Sequence, residues 1–224
     1  MARQGFDALC VDLQHGTSDL NNILHMLQAI SQTDTVPVVR VAWNDPAAIM
    51  RALDLGAYGI IVPLVNNAKE AAAAVSACRY PPVGIRSSGP VRAAHYGGTN
   101  YFTEANNEII VMAMVETKEG LANLNEICST PGLDAVYIGP ADLSFALGLP
   151  PQADNSNPLH LETCDKIRDT AHKHGIKAVM HCASAAFASE AVERGFDMVM
   201  LTSDLNSLIS GVRGQLDDLN EKTK

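Results

Sequence analysis

The sequence lacks the features of membrane, secreted and nucleic-acid-binding proteins. No apolar run approaches the roughly 20 residues that a membrane-spanning helix needs, and the first residues lack the charged-then-apolar layout of a secretory signal. Lysine and arginine (16) are outnumbered by aspartate and glutamate (25), which gives a formal net charge of −9 and a pI of about 5.1. This shortage of positive charge argues against nucleic acid or an anionic membrane as the main partner.

Cysteine is sparse and shows no pairing pattern. The five cysteines are an odd number and include no C-x-x-C pair, so we expect neither a disulfide framework nor a cysteine zinc site. Reduced thiols are typical of a cytoplasmic protein. A chain of 224 residues can bury a full core, and we expect a single domain over residues 1–224.

Apolar runs alternate with amphipathic segments along the chain, and seven of the runs are typical of buried parallel strands. A (β/α)8 TIM barrel needs eight strands and about 250 residues. We therefore expect such a barrel lacking its first strand, with an open doubly wound sheet as the alternative. The segment Tyr80–Asn107 interrupts the alternation, and its prolines and glycines predict a lid or binding loop that helps to form a substrate pocket.

Two neighbouring strand candidates, Ile109–Val115 and Ala135–Ile138, each end near a carboxylate. Glu116 follows the first directly, and Asp142 follows the second after a Gly-Pro-Ala turn. The residues between the strands have the spacing of one helix, so the unit is βαβ and its strands are parallel. Both carboxylates then lie at the edge of the sheet where α/β enzymes carry their catalytic groups. Taken singly, each carboxylate is equally explained as a cap of the following helix.

Further groups are predicted at the same edge of the sheet, including Gln14 and His181, and for His181 a packing role at the strand end is an equal alternative. Arg40 interrupts the apolar strand Val36–Ala42, and a guanidinium in such a strand is costly to bury unless it meets an anion. Asp12 and His15 follow the first strand, and His15 alone is as easily a turn residue as a catalyst. The groups together indicate an active site more strongly than any one of them does.

Two carboxylates without nearby thiolates or paired histidines suit a hard cation such as Mg²⁺ or Mn²⁺. A 2-oxo acid would chelate this cation, and the backbone N–H groups of Ala141 and Asp142 would receive its carboxylate. Arg40 would then steady the enolate oxygen while His15 moves protons. A Schiff-base mechanism needs a desolvated lysine at this edge. Only Lys118 is near it, as a first-turn helix residue, so metal-dependent enolate chemistry is preferred.

Several segments together resemble the HpcH/HpaI aldolase family of metal-dependent class II pyruvate aldolases. They are DLQHG (12–16), PVVRVAWNDP (37–46), GIIVPLVNNAKEA (59–71), RYPPVGIRSSGP (79–90), MVETKEGL (114–121) and YIGPADLS (137–144). The resemblance implies a (β/α)8 barrel and a divalent cation, Mg²⁺, Mn²⁺ or Co²⁺, held by Glu116 and Asp142. It also implies that the turn Gly139, Pro140, Ala141 and Asp142 binds the substrate.

The resemblance further implies roles for single residues and an assembly. His15 is the acid/base group with Asp12 at the dyad position, and Arg40 stabilises the enolate. Asp54 of a neighbouring subunit reaches the histidine. The family members similar to this chain form homo-hexamers, often with an exchanged C-terminal helix, for which Leu205–Leu219 is the candidate.

Three departures from the family pattern concern substrate choice and completeness. Gln14 replaces the usual glutamate beside the histidine, Met114 stands where a glutamine precedes the metal-binding glutamate, and the first strand is absent. The leading hypothesis is a lyase that reversibly cleaves a 4-hydroxy-2-oxo acid, a small-molecule substrate, to pyruvate and an aldehyde through a metal-bound enolate. The alternatives are an oxaloacetate decarboxylase that uses the same enolate, and a non-catalytic truncated paralogue.

Overall fold

The computed structural model describes residues 1–223 as an alternation of strands and helices. The strands are β1 (Ala8–Asp12), β2 (Val36–Arg40), β3 (Gly59–Val62), β4 (Ile110–Met114), β5 (Ala135–Ile138), β6 (Lys177–His181) and β7 (Met198–Met200). The helices are α1 (Leu20–Ile30), α2 (Pro46–Asp54), α3 (Ala68–Cys78), α4 (Val91–Gly97), α5 (Tyr101–Glu108), α6 (Lys118–Ala122), α7 (Leu124–Cys128), α8 (Pro140–Ala146), α9 (Pro158–Lys173), α10 (Ala185–Glu193) and α11 (Asp204–Lys222).

All seven strands form one parallel sheet whose order follows the sequence, from β1 at one edge to β7 at the other. The predicted α/β architecture of seven parallel strands is confirmed. The sheet curls into a partly closed barrel with the helices outside it. Within residues 1–223, β1 and β7 do not pair with each other.

Side chains alternate between the two faces of the sheet, as the two-residue period of a strand requires. The outward-facing side chains pack under the helices in the main core, while a smaller cluster lies inside the curl. The inner cluster contains Val38, Ile61, Met112, Met114, Ala135, Tyr137 and Val179, with Ala8, Cys10 and Met200 packed against it. This register determines which residues point inward at the carboxyl ends of the strands.

Helices at the carboxyl edge of the sheet begin soon after the strands because polar residues cap them. Asp45 accepts hydrogen bonds from the first turn of α2, and Pro46 supplies a preformed φ angle there. Thr117 Oγ1 accepts from the Gly120 N–H at the start of α6, and Ser184 caps α10 in the same way. Each cap stabilises the protein by about 1 kcal/mol.

The segment Tyr80–Asn107 does not lie over the carboxyl edge of its own chain. It contains α4 and most of α5, and it joins the end of α3 to the start of β4 at the amino edge of the sheet. There Arg92 donates to the backbone oxygens of Leu55 and Leu27, near the ends of α2 and α1. The lid prediction is therefore wrong for the single chain, because prolines and glycines mark turns without showing which edge they serve.

The helix predicted between β4 and β5 is two short helices, α6 and α7, which meet at Asn123. The Asn123 side chain donates to the backbone oxygen of Asn66 at 2.9 Å, so it serves the β3–α3 loop as well as the junction. Hydrophobic periodicity continues across such a break and cannot reveal it.

The C-terminal helix α11 contains no buried residue. Six apolar side chains along it are 38–65% exposed: Leu205, Leu208, Ile209, Val212, Leu216 and Leu219. No helix of residues 1–223 is long and apolar enough to cross a membrane.

Candidate active site

The inner face of the sheet continues at its carboxyl edge as a row of polar side chains. Each lies two residues beyond a member of the inner cluster, and therefore on the same face. By this register Asp12 follows Cys10, Arg40 follows Val38, Glu116 follows Met114, Gly139 follows Tyr137 and His181 follows Val179. The apolar cluster forms a floor, and the polar groups converge above it.

Asp12 and Arg40 form a bidentate ion pair across β1 and β2. The Arg40 Nε donates to Asp12 Oδ1 at 2.8 Å and Nη2 donates to Oδ2 at 2.5 Å. Burial alone would raise the Asp12 pKa, but the Arg40 guanidinium and two backbone N–H groups outweigh it and hold the pKa below its ordinary value. The anion that a buried Arg40 needs is thus supplied within the chain.

His15 lies at this edge but does not contact Asp12 through its ring. Its backbone N–H donates to Asp12 Oδ1 at 3.3 Å, and its side chain is exposed. The Gln14 N–H donates to the same oxygen at 3.0 Å, whereas the Gln14 Oε1 atom is buried without a partner. The Asp12 turn therefore fixes the backbone of His15 and leaves its imidazole free to face the space above the sheet.

Glu116 is buried to 1% exposure, with half of its carboxylate unsatisfied. Oε1 accepts a hydrogen bond from the Leu64 N–H at 3.0 Å, but Oε2 is buried with no partner. Burial raises the pKa of Glu116 to about 7, and the Asp142 charge adds to the rise, while the Leu64 N–H and Arg40 oppose it. A buried carboxylate in this state gains from a cation beside its free oxygen.

Leu64 has a backbone φ of +53°, a left-handed conformation that is strained for a leucine. This conformation lies in the β3–α3 loop, where the Leu64 N–H donates to Glu116, and the Leu64 carbonyl accepts from the Asn66 side chain. The loop therefore holds the Glu116 carboxylate at some conformational cost.

Gly139 leaves the space that the free oxygen of Glu116 occupies. A Cβ built at Gly139 would lie 1.9 Å from Glu116 Oε2 and 2.9 Å from Met114 Cε. Gly139 precedes α8, whose first turn contains Asp142 and has no side-chain cap. No side chain caps α8, so no side chain occupies the N–H groups of its first turn.

Neither Glu116 nor Asp142 caps the helix that follows it, although capping would be the simplest role for each carboxylate. Thr117 caps α6, so Glu116 is free of that role. Gly139 occupies the cap position of α8, and Asp142 lies within the first turn. The buried Glu116 and the exposed Asp142 are therefore both available to bind a ligand.

The donor set fits a hard divalent cation. In residues 1–223, no group of three or more His, Cys, Asp and Glu side chains could hold a metal ion. A cation at this edge would therefore have the two carboxylates of Glu116 and Asp142, with water and substrate completing its shell, as Mg²⁺ commonly does. The missing Cβ at Gly139 lets Glu116 Oε2 lie beside the backbone there, and this oxygen has no hydrogen-bond donor to compete with a cation.

The structure does not bring Asp54 to the other predicted residues of its own chain. Asp54 ends α2 at the amino edge of the sheet, where its Oδ1 accepts from Arg86 Nη2 at 3.1 Å. Arg86 is itself buried at 1% exposure and also donates to Tyr101 Oη. Within its own chain, Asp54 is therefore not a partner of His15.

Sequence reasoning missed the Leu64 N–H and a pair formed by Tyr137 and His181. Tyr137 Oη lies 2.9 Å from His181 Nδ1 inside the curl. The strand register could have placed both side chains on the inner face, because Tyr137 is two residues before Gly139 and His181 ends β6. No sequence pattern indicates the left-handed backbone of Leu64.

The comparisons with known proteins agree with this fold. The family model described as HpcH/HpaI aldolase/citrate lyase matches residues 1–211. The hydroxypyruvate/pyruvate aldolase of Rhizorhabdus wittichii is 39% identical over 218 residues, covering 97% of this chain and 87% of that protein. The 4-hydroxy-2-oxo-heptane-1,7-dioate aldolase of Salmonella heidelberg is 38% identical over 199 residues, covering 88% of this chain and 73% of that protein.

Solved structures give the same result. A HpcH/HpaI aldolase/citrate lyase family protein from Burkholderia cenocepacia J2315 superposes with a TM-score of 0.90 at 30% identity, covering 98% of this chain and 88% of that one. The chain therefore belongs to the HpcH/HpaI aldolase/citrate lyase family. It is an enzyme, a carbon–carbon lyase of the aldolase type, and the resemblance carried by its motifs is confirmed.

Proposed function

We propose that this enzyme reversibly cleaves a 4-hydroxy-2-oxo acid into pyruvate and an aldehyde, with Mg²⁺ or Mn²⁺ held by Glu116 and Asp142. The observation that carries the proposal is the buried, partnerless Oε2 of Glu116 beside the bare Gly139 and the uncapped start of α8. By their names, one of the relatives above is a hydroxypyruvate/pyruvate aldolase and the other is an aldolase for a 4-hydroxy-2-oxo diacid. A bound divalent cation would supply Lewis acidity that favours negative charge on the 2-oxo group.

The pyruvate half of the substrate binds between α8 and Arg40. Its carboxylate accepts from the N–H groups of Ala141 and Asp142, and the small residues Gly139 and Pro140 let it approach closely. The guanidinium of Arg40, fixed by Asp12, donates towards the C2 oxygen. Arg40 thereby stabilises the enolate that forms when the carbon–carbon bond breaks.

The reaction balances through one proton moving in each direction. His15 removes the proton of the C4 hydroxyl, the C3–C4 bond breaks, and its electron pair becomes the C2–C3 double bond of the pyruvate enolate as the aldehyde leaves. Protonation at C3 then gives pyruvate. Asp12 orients the His15 turn, and Asp54 of a neighbouring copy supports the imidazole from the other side.

The proposal includes a homo-oligomer, a hexamer by resemblance, because the chain leaves two surfaces incomplete. The apolar side of α11 is exposed along its length, and exchange of this helix with a second copy would bury it.

The sheet is the seven-stranded part of a (β/α)8 barrel formed by one domain, with the eighth position between β7 and β1. Cys10 and Met200 of those edge strands already pack against the same inner cluster. All five cysteines are free, which favours the cytoplasm.

Purified enzyme incubated with a 4-hydroxy-2-oxo acid and Mg²⁺ should release pyruvate and aldehyde in equal amounts, and a chelator should stop the release until Mg²⁺ is restored. Oxaloacetate provides the second arm, since its decarboxylation yields the same enolate without an aldehyde. If oxaloacetate releases pyruvate quickly and the 4-hydroxy-2-oxo acid does not, the enzyme is a decarboxylase rather than an aldolase. Absence of both reactions from the assembled, metal-loaded protein would leave the non-catalytic paralogue.

A further inference from the structure

Tyr137 and His181 form a hydrogen-bonded pair inside the curl that the proposed reaction does not yet use. They come from neighbouring parallel strands, since β5 pairs with β6 and Tyr137 lies opposite Val179. The Oη–Nδ1 distance is 2.9 Å, and Tyr137 is buried to 2% exposure. The pair lies on the face that carries Asp12 and Arg40, with His181 in the polar row and Tyr137 in the apolar layer below it.

We assign the tautomer of His181 from its hydrogen-bond partners. The single hydroxyl proton of Tyr137 has two candidate acceptors, the His181 Nδ1 at 2.9 Å and the Met200 Sδ at 3.2 Å. Because a thioether is the weaker acceptor, the hydroxyl donates to Nδ1. The proton of the neutral imidazole then lies on Nε2.

Charges around the pair keep it neutral. Burial lowers the His181 pKa and the Arg40 charge lowers it further, against the opposing effects of Asp12 and Asp154. Burial also raises the pKa of Tyr137, so its phenol remains protonated. A neutral imidazole whose tautomer is fixed is a stable hydrogen-bond donor across the neutral range.

The Nε2 atom of His181 is available to a ligand. It makes no hydrogen bond within residues 1–223, and it is not among their buried partnerless atoms, so it faces accessible space. It belongs to the inner row at the carboxyl edge, as Arg40 and Glu116 do. Those two groups and the start of α8 account for both oxygen-bearing groups of the pyruvate half, which leaves His181 for the other half of the substrate.

We infer that His181 is a specificity-determining residue whose Nε2–H donates to the oxygen on the aldehyde half, and that Tyr137 is the residue that positions it. This oxygen is the C4 hydroxyl of the cleavable acid and the carbonyl oxygen of the aldehyde product. It gains negative charge as the proton of the C4 hydroxyl leaves, and a neutral, preorganised donor stabilises that charge. The inference rests on the proposed function.

The test compares two reactions of the metal-loaded enzyme. Exchange of the pyruvate methyl protons with D₂O reports enolate formation without an aldehyde, whereas cleavage of the 4-hydroxy-2-oxo acid needs both halves. His181→Leu should lower the ratio of cleavage kcat/KM to exchange rate about a hundredfold, the effect of losing one such donor. His181→Gln retains an N–H at a similar reach, so its ratio should be about tenfold higher than that of His181→Leu.

Tyr137→Phe should lower the same ratio by several fold, because the ring remains but the tautomer is no longer fixed. His25→Leu is the matched control: His25 is exposed on α1, and its ring hydrogen-bonds to Gln28 at that surface, so both rates should stay at the wild-type level. An unchanged ratio in His181→Leu, or an equal fall of both rates, would overturn the inference. Wild-type enzyme that shows neither exchange nor cleavage would instead remove the proposed function, and this inference with it.

Discussion

Two buried charged residues, Arg79 at the amino edge of the sheet and Glu116 at the carboxyl edge, differ in how far their polar atoms are satisfied. At the amino edge, Arg79 is 5% exposed and every contact it makes is internal: it donates to the Ile109 carbonyl at 2.7 Å, the Gly132 carbonyl at 3.2 Å and Asp134 at 3.0 Å. At the carboxyl edge, Glu116 is more deeply buried and keeps an oxygen with no partner. A satisfied charge stabilises the fold, whereas the unsatisfied one costs stability and prepares a ligand site.

The carboxylates show the same contrast in their pKa values. Asp197 accepts hydrogen bonds from Lys177, the Ala178 N–H and His172. These contacts outweigh the effect of burial and lower its pKa to about 2. Burial instead raises the pKa of Glu116 to about 7. The two carboxylates thus differ in pKa because three groups donate to Asp197 and only the Leu64 N–H donates to Glu116.

The largest effect is expected when the carboxyl edge is altered. Glu116→Gln keeps the shape and the Leu64 hydrogen bond but removes the charge, so cleavage should fall about a thousandfold or more, since Lewis-acid stabilisation contributes several kcal/mol. Pyruvate release in a coupled assay measures it. Glu119→Gln, on the exposed side of α6, is the matched control and should retain wild-type activity; equal losses in both variants would contradict the comparison.

Alteration of the amino edge should change stability rather than chemistry. Arg79→Met keeps the length of the side chain but leaves the Ile109 and Gly132 carbonyls without their donor, which should cost about 3 kcal/mol of unfolding free energy. Urea denaturation measures the loss. The folded variant should cleave substrate at the wild-type rate at low temperature. A cleavage rate as low as that of Glu116→Gln would show that the two edges do not have separate roles.

The smallest effect concerns Asp197 and acid. Its folded pKa lies below the unfolded value of 3.8, so its contribution is present above about pH 4 and is lost as the pH falls through about 2. Asp197→Asn should cost about 1–2 kcal/mol at pH 6, after allowance for partial exposure, and the difference from wild type should about halve by pH 3. Urea titrations at both pH values test this, and a difference that grows with acid would give the opposite sign.

The sequence revealed the parts of the site that depend on local pattern. The apolar runs gave the strands, and their ends placed Asp12, Arg40, Glu116 and Asp142 at one edge because parallel strands all point the same way. The need of Arg40 for an anion followed from the cost of burying a guanidinium, but that reasoning did not identify Asp12 as the anion. These are short-range arguments, and they required no knowledge of packing.

Long-range contacts were beyond the same reasoning. The Leu64 N–H donates to Glu116, which is 52 residues away in the sequence. The residue with the left-handed backbone is a leucine, so no glycine indicates this conformation in the sequence. The closeness of Gly139 to Glu116 depends on how β4 and β5 pack. The edge served by Tyr80–Asn107 is different, because the predicted order of elements could have given it: a segment that leads from a helix to a parallel strand lies at the amino edge of the sheet.

The central claim, that the unsatisfied Glu116 and the first turn of α8 hold a divalent cation, is tested most directly by Mn²⁺ titration followed by electron paramagnetic resonance. Wild-type protein should bind one Mn²⁺ per chain, with Mg²⁺ competing for the same site, while Glu116→Gln and Asp142→Asn should each lose that binding and remain folded. Full Mn²⁺ binding by either folded variant would contradict the account.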